Sequence, residues 1–223
     1  MLLFMEEIQK ENLMQEYNDS INAPDTKYKL SETVKTMTAS LRKIMTNIYF
    51  IDPLYENEEL SNTVKHLEHL TEEAKVDELL PTWRSLRYKN PLSGLMNPLA
   101  PPLICPHNGE TSFRVSFNKA HQGIANAAHG GVISSVFDDV ILRTSQQTGK
   151  YCATAEVTTV YKRPTPINTE LIINSKIVDV QENKIIIFAE MICNEIVTAT
   201  ATAIVIPVNP EKMKNSISKT LTD

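Results

Sequence analysis

The spacing of apolar positions changes period partway along the chain. From Ser31, the residues Val34, Met37, Leu41, Ile44, Met45 and Ile48 recur at helical intervals with Lys35, Arg42 and Lys43 off the stripe. This predicts an amphipathic helix that ends before Pro53. A second helix is predicted from about Glu58, carried by Leu60, Val64, Leu67, His69, Leu70 and Ala74. The pair reads as a helical hairpin docking on the later part of the chain, and residues 1–20 carry a weaker helical pattern. Six of the twelve prolines then fall between Pro81 and Pro106, which argues against regular structure there. Trp83, Leu86, Tyr88, Leu92, Leu95, Met96 and Leu99 make this stretch too apolar for a free tether, so it reads as a linker that packs.

After the linker the period becomes two. Thr111 to Phe117 reads as a strand, the loop NKAHQGIANAA follows, and from Gly131 the residues Ile133, Val136, Phe137, Val140 and Ile141 return to helical spacing. Gly149 supplies a C-terminal stop, giving a helix of roughly 17 residues, or about 25 Å. Four more strands are expected at Cys152–Arg163, Glu170–Val180, Lys184–Cys193 and Val197–Val208. In the last, Thr198 to Ala203 alternates Thr with Ala, presenting a small alanine face that a helix can approach closely. Strand, long helix, four strands is the order of an α+β unit in which an antiparallel sheet wraps one helix. The chain thus divides into a helical extension (1–80), a Pro-rich packed linker (81–110), the sheet-and-helix domain (111–208) and a tail (209–223).

Composition changes this picture little. The 223 residues suffice for a real core, and the formal net charge is −5. That charge is uneven: residues 1–80 hold 8 Lys+Arg against 16 Asp+Glu, whereas the remainder holds 14 against 11. An acidic leading region argues against nucleic acid as a partner, and the mildly basic remainder suits an anionic small molecule. The opening MLLFMEEIQKE lacks the basic start and long apolar core of a signal peptide, and no run approaches the roughly 18 apolar residues of a membrane span. A cytoplasmic protein is expected. Cys105, Cys152 and Cys193 are odd in number, widely spaced and without CxxC spacing, and His66 with His69 lacks companion ligands; neither a disulfide framework nor a metal site is expected.

The candidate chemistry concentrates in His129–Asp139, HGGVISSVFDD. Gly130 and Gly131 adjoin at the mouth of the long helix, where backbone approaches a ligand without a Cβ and the first N–H groups lack intrahelical partners. An electron-rich oxygen can dock on the Gly131 N–H there, aided by the helix dipole. At about 100° per residue, Gly131, Ser134, Ser135, Asp138 and Ser145 share one side of the helix, opposite the large apolar residues. Asp139 points elsewhere and stands four residues before Arg143, where an ion pair accounts for it. Ser134 and Ser135 lack the GxSxG elbow of a serine hydrolase and instead provide space and polarity. Strand alternation puts Thr154 on one face with Cys152, Glu156 and Thr158.

HGGVISSVFDD, followed by TAEVTTVYKRPTP from Thr154, resembles the hotdog-fold acyl-CoA thioesterases of the phenylacetate-pathway (PaaI) type; NPLAPPL and the terminal ATATAIVIPV are similar to members of that group. The resemblance covers residues 129–207 and, more loosely, 91–128. It implies a five-stranded antiparallel sheet around one helix, protomers pairing edge to edge as a dimer or dimer of dimers, and sites at the dimer interface. It implies hydrolysis of an acyl-CoA to free acid and coenzyme A, with no cofactor because coenzyme A is part of the substrate. Asp138 matches the family's catalytic acid, as nucleophile or as general base on water. Thr154 matches a threonine that holds the water or the acid, from the facing protomer, and His129 a histidine that orients the helix entrance or the substrate. Lys162 and Arg163 are placed to meet the coenzyme A phosphates or to cap a solvated strand end. Where several relatives carry Asn or Gln six residues before the histidine, this chain has Gly123, flanked by Gln122 and Asn126 as candidates for the same contact. The alternative to hydrolysis is a non-catalytic acyl-CoA or lipid-binding hotdog protein.

Overall fold

The computed structural model of the protein describes residues 31–48, 50–73, 90, 92, 97–101, 103–104 and 111–209. The expected helix in residues 1–20, Cys105, the tail beyond residue 209 and most of the linker's apolar residues lie outside that set. Helix α1 spans Glu32–Ile48 and α2 spans Glu58–Glu73. Both begin at side-chain caps: Ser31 Oγ accepts the Val34 N–H at 3.2 Å, and Asn57 Oδ1 accepts the Leu60 N–H at 2.7 Å. Helix α1 docks, burying Thr38 and donating from Arg42 Nη2 to the Asn97 carbonyl at 3.1 Å. Among the described residues, no docking contact of helix α2 on the sheet-and-helix domain is present. None of its residues is buried, and Leu60, Val64, Leu67 and Leu70 stay exposed. Periodicity shows that a helix has an apolar face; it does not show what covers that face.

The sheet has six strands, one more than expected: β1 (Leu103–Ile104), β2 (Ser112–Ser116), β3 (Cys152–Tyr161), β4 (Glu170–Val180), β5 (Ile185–Cys193) and β6 (Ile196–Pro207). All pair antiparallel in the order β1-β2-β4-β5-β6-β3. The additional strand is a two-residue piece of the Pro-rich stretch on the outer edge of β2, where prolines at either end of the run Pro102–Pro106 limit its length. Strands β5 and β6 are joined across Asn194 and Glu195, both at positive φ (46° and 67°), the signature of a two-residue type I′ hairpin made here without glycine.

Helix α3 (Gly130–Ser145) packs against one face of this sheet. Val136, Phe137, Val140 and Ile141 are at most 1% exposed, and each fully buried side chain of this kind contributes roughly 1.5–3 kcal/mol. Opposite them, Ala199, Ala201 and Ala203 of β6 are likewise at most 1% exposed, so the alternating Thr/Ala run does present its alanines inward. The helix ends in a 3₁₀ turn, Gln146–Thr148, closed by Gly149 at φ 68°. Strand β3 is the last in the order and pairs with β6 alone, so among the described residues its other edge is open.

Candidate active site

The loop before α3 is stiffened by its own backbone. Asn118 caps a short 3₁₀ turn (Lys119–His121) by accepting the Ala120 N–H at 2.9 Å, while His121 Nδ1 accepts the Asn118 N–H at 3.0 Å. With Nδ1 an acceptor, Nε2 carries the proton, and it donates to the Leu99 carbonyl at 2.8 Å. His121 is 4% exposed, and burial, countered by the Leu99 bond and reinforced by the Arg42 charge, holds its pKa below the ordinary value. The loop then folds back: the His129 N–H donates to the His121 carbonyl at 2.8 Å, and the Gly123 N–H to the Ala127 carbonyl at 2.9 Å. Gln122 and Asn126 both turn to Lys119, whose Nζ lies 2.6 Å from Gln122 Oε1 and 3.4 Å from Asn126 Oδ1.

His129 is the N-cap of α3. Its Nδ1 accepts the Gly131 N–H at 3.0 Å, so that N–H is not vacant as the sequence suggests. A histidine ring two residues back reaches it, and a Cβ on Gly131 would stand 3.2 Å from the same nitrogen. A Cβ on Gly130 would crowd a different neighbour, the Tyr161 ring, 3.0 Å from Cζ and 3.1 Å from the hydroxyl. The Tyr161 hydroxyl donates to the Gly130 carbonyl at 2.8 Å and lies 2.7 Å from Ser134 Oγ, which is also 3.0 Å from Thr159 Oγ1. Ser135 Oγ turns to its own helix, donating to the Gly131 carbonyl at 2.8 Å.

Asp138 stands one turn beyond Ser134 on the same face. It is half-buried, and among the described residues no hydrogen bond or ion pair engages its carboxylate. Asp139 is its opposite: 5% exposed, with Oδ2 accepting from Arg143 Nε at 2.8 Å and Oδ1 from Asn90 Nδ2 at 2.8 Å. The ion pair expected from i,i+4 spacing is present, joined by a linker residue that spacing cannot reveal.

Strand β3 runs antiparallel along α3, from the Cys152 thiol beside Ser145 to Tyr161 at the mouth. Its face is not the one that simple alternation gives. The register with β6 shifts between Thr154 and Glu156, a bulge that puts Cys152 and Thr154 on the helix side together with Val157 and Thr159, while Glu156 and Thr158 are exposed and bond each other at 3.3 Å. Thr154 Oγ1 is buried and, among the described residues, has no hydrogen-bond partner. At 1.5 Å per helical and about 3.3 Å per strand residue, Thr154 lies abreast of roughly residue 142 of α3, about one turn from Asp138 of the same chain. Lys162 and Arg163 follow Tyr161 with exposed side chains, their N–H groups both donating to the Thr198 carbonyl at 2.8 and 3.0 Å.

The sequence therefore named His129, Gly130, Gly131, Ser134, Ser135 and Asp138, which one helix brings together, but missed Tyr161, Thr159, Asn90 and His121. Nothing in strand alternation marks Tyr161 once a bulge has changed the phase. His69 lies 3.7 Å from Glu73, and among the described residues no group of three or more His, Cys, Asp or Glu is arranged to hold a metal ion. No helix among them is long and apolar enough to cross a membrane.

No family model matches the chain, and no curated protein matches it. Among solved structures it is similar to the thioesterase superfamily protein RHA08564, at 24% identity and a TM-score of 0.63, covering 78% of this chain and 94% of that one. Smaller similarities are to the PaaI protein of the E. coli phenylacetic acid degradation operon (13% identity, TM-score 0.45, 49% of this chain and 80% of that one) and to smu.793 of Streptococcus mutans, bound to acetyl CoA (16%, 0.45, 49% and 89%). With one long helix wrapped by an antiparallel sheet, and most of the chain overlaid on a thioesterase superfamily structure, the chain has the hotdog fold.

Proposed function

We propose that the protein hydrolyses an acyl-CoA thioester to the free acid and coenzyme A. The observation that carries this reading is one helix presenting, on one face, a glycine N–H at its mouth and an unpaired carboxylate about two turns on. The thioester oxygen takes the place of His129 Nδ1 on the Gly131 N–H, which stabilises the negative charge that develops as the carbonyl carbon becomes tetrahedral; one such donor is worth roughly 3–4 kcal/mol. Asp138 acts by one of two routes. As general base it takes a proton from water, the hydroxide adds to the carbonyl carbon, the C–S bond breaks, and the proton returns to the departing thiolate. As nucleophile it adds to the carbonyl carbon itself, expels the thiolate and leaves an anhydride that water opens.

Strand β3 pairs through its open edge with a second copy, antiparallel, which brings the partner subunit's Thr154 toward Asp138. Lys162 and Arg163, exposed beside the helix mouth, meet the coenzyme A phosphates. Asp138→Asn is expected to abolish release of free thiol from acyl-CoA esters of graded chain length without loss of thermal stability. Full turnover by that variant would refute the assignment, and a wild-type protein that binds acyl-CoA tightly but releases no thiol would make it a binding protein instead.

A further inference from the structure

We infer that Tyr161 is a positioning residue that sets the direction and donor strength of the Gly131 N–H; the inference rests on the thioesterase reading for its catalytic consequence but not for its geometry. The Gly130 carbonyl and the Gly131 N–H belong to one peptide unit, planar and trans, so they point in opposite directions. Both ends of that unit are held by side chains. Tyr161, the last residue of β3, donates its hydroxyl proton to the carbonyl at 2.8 Å, and His129, from the preceding loop, accepts the N–H at 3.0 Å.

These two restraints differ in what happens when a thioester oxygen arrives. His129 must give up the N–H for the oxygen to use it, whereas nothing displaces Tyr161. The tyrosine therefore keeps the peptide plane aimed while the acceptor is exchanged. Donation to the carbonyl also draws electron density along the peptide and makes the N–H a stronger donor, because hydrogen bonds in a chain polarise one another. Tyr161 is 52% exposed, so burial does not fix its ring; its hydroxyl contacts to Gly130 and Ser134 and its close approach to Gly130 do. A Cβ at residue 130 would crowd that approach and make the ring give way.

The test is Tyr161→Phe in the full-length protein, which keeps the ring and removes one oxygen. The backbone amide proton of Gly131, followed by NMR in the absence of substrate, is expected to move upfield as the peptide loses its polarising partner. The kcat is expected to fall about 10-fold with KM little changed, a fraction of the effect of deleting a whole oxyanion donor. Gly130→Ala puts a Cβ 3.0 Å from the Tyr161 ring and makes the ring give way, and is expected to lower kcat through the same hydroxyl contact. An unmoved Gly131 amide in Tyr161→Phe would overturn the inference, as would unchanged kcat in both variants of an active enzyme. A wild-type chain without thioesterase activity would instead defeat the proposed function, and the amide shift would still decide the peptide geometry.

Discussion

Asp138 and Asp139 differ by one position in the chain and by everything in their surroundings. Asp139 is ringed by donors, with Arg143 on one oxygen and Asn90 on the other, and is buried. Removing its charge breaks a largely buried ion pair, which in comparable pairs costs up to about 3–5 kcal/mol. Asp139→Asn is therefore expected to lower the chemical denaturation midpoint markedly, in contrast to Asp138→Asn, which is expected to lower turnover and leave that midpoint in place. Equal denaturation curves for the two variants would remove the distinction. Half of this was legible: helical spacing places Asp139 against Arg143 and frees Asp138. The other half was not, because Asn90 lies 49 residues away and only tertiary structure brings it to the helix.

At the level of elements, the helices and the four long strands follow directly from hydrophobic period, since burial on one face is what writes that period into a sequence. The features that escaped are those in which period is interrupted or too short to express: the two-residue β1, the Asn194-Glu195 hairpin turn and the bulge in β3. The bulge matters most, because it moves Thr154 to the helix side and Glu156 off it. The contact between α3 and β6 makes a sharper demand. With Ala199, Ala201 and Ala203 all at most 1% exposed beneath the helix, space there is set by a methyl group. Ala201→Leu is expected to destabilise the fold by about 1–3 kcal/mol through overpacking, measured by equilibrium unfolding, despite the apolar character of the substitution.

Across the whole molecule, polar contacts link residues 42–50, residues 97–99 and the loop before α3. Arg42 reaches the Asn97 carbonyl, His121 reaches the Leu99 carbonyl, and Lys119 Nζ lies 5.9 Å from the centre of the Phe50 ring. His121 makes this region sensitive to acid. Its folded pKa is held down, first by burial, so between that value and the unfolded pKa of about 6.5 the unfolded chain binds more protons. The stabilisation is complete above about pH 6.5 and is lost as pH falls through that value towards the folded pKa. Melting temperature is expected to decline over that range in the wild type and to decline less in His121→Asn; parallel declines would exclude His121 as the cause. None of this was visible in the loop NKAHQGIANAA, where a histidine reads the same whether buried or bare.

The bare edge of β3 carries a cost of a different kind. Along CATAEVTTVY, alternate residues turn their N–H and C=O groups away from β6, unpaired among the described residues, on a strand with no proline and a single charge, Glu156. Exposed edges of this sort are templates for any extended chain, and natural sheets blunt them with lysines, prolines or bulges. Here the bulge before Glu156 is the one such device along the strand. A chain whose β3 edge stays bare is thus prone to pair there with other extended chains, so its solubility depends on whether that edge is covered.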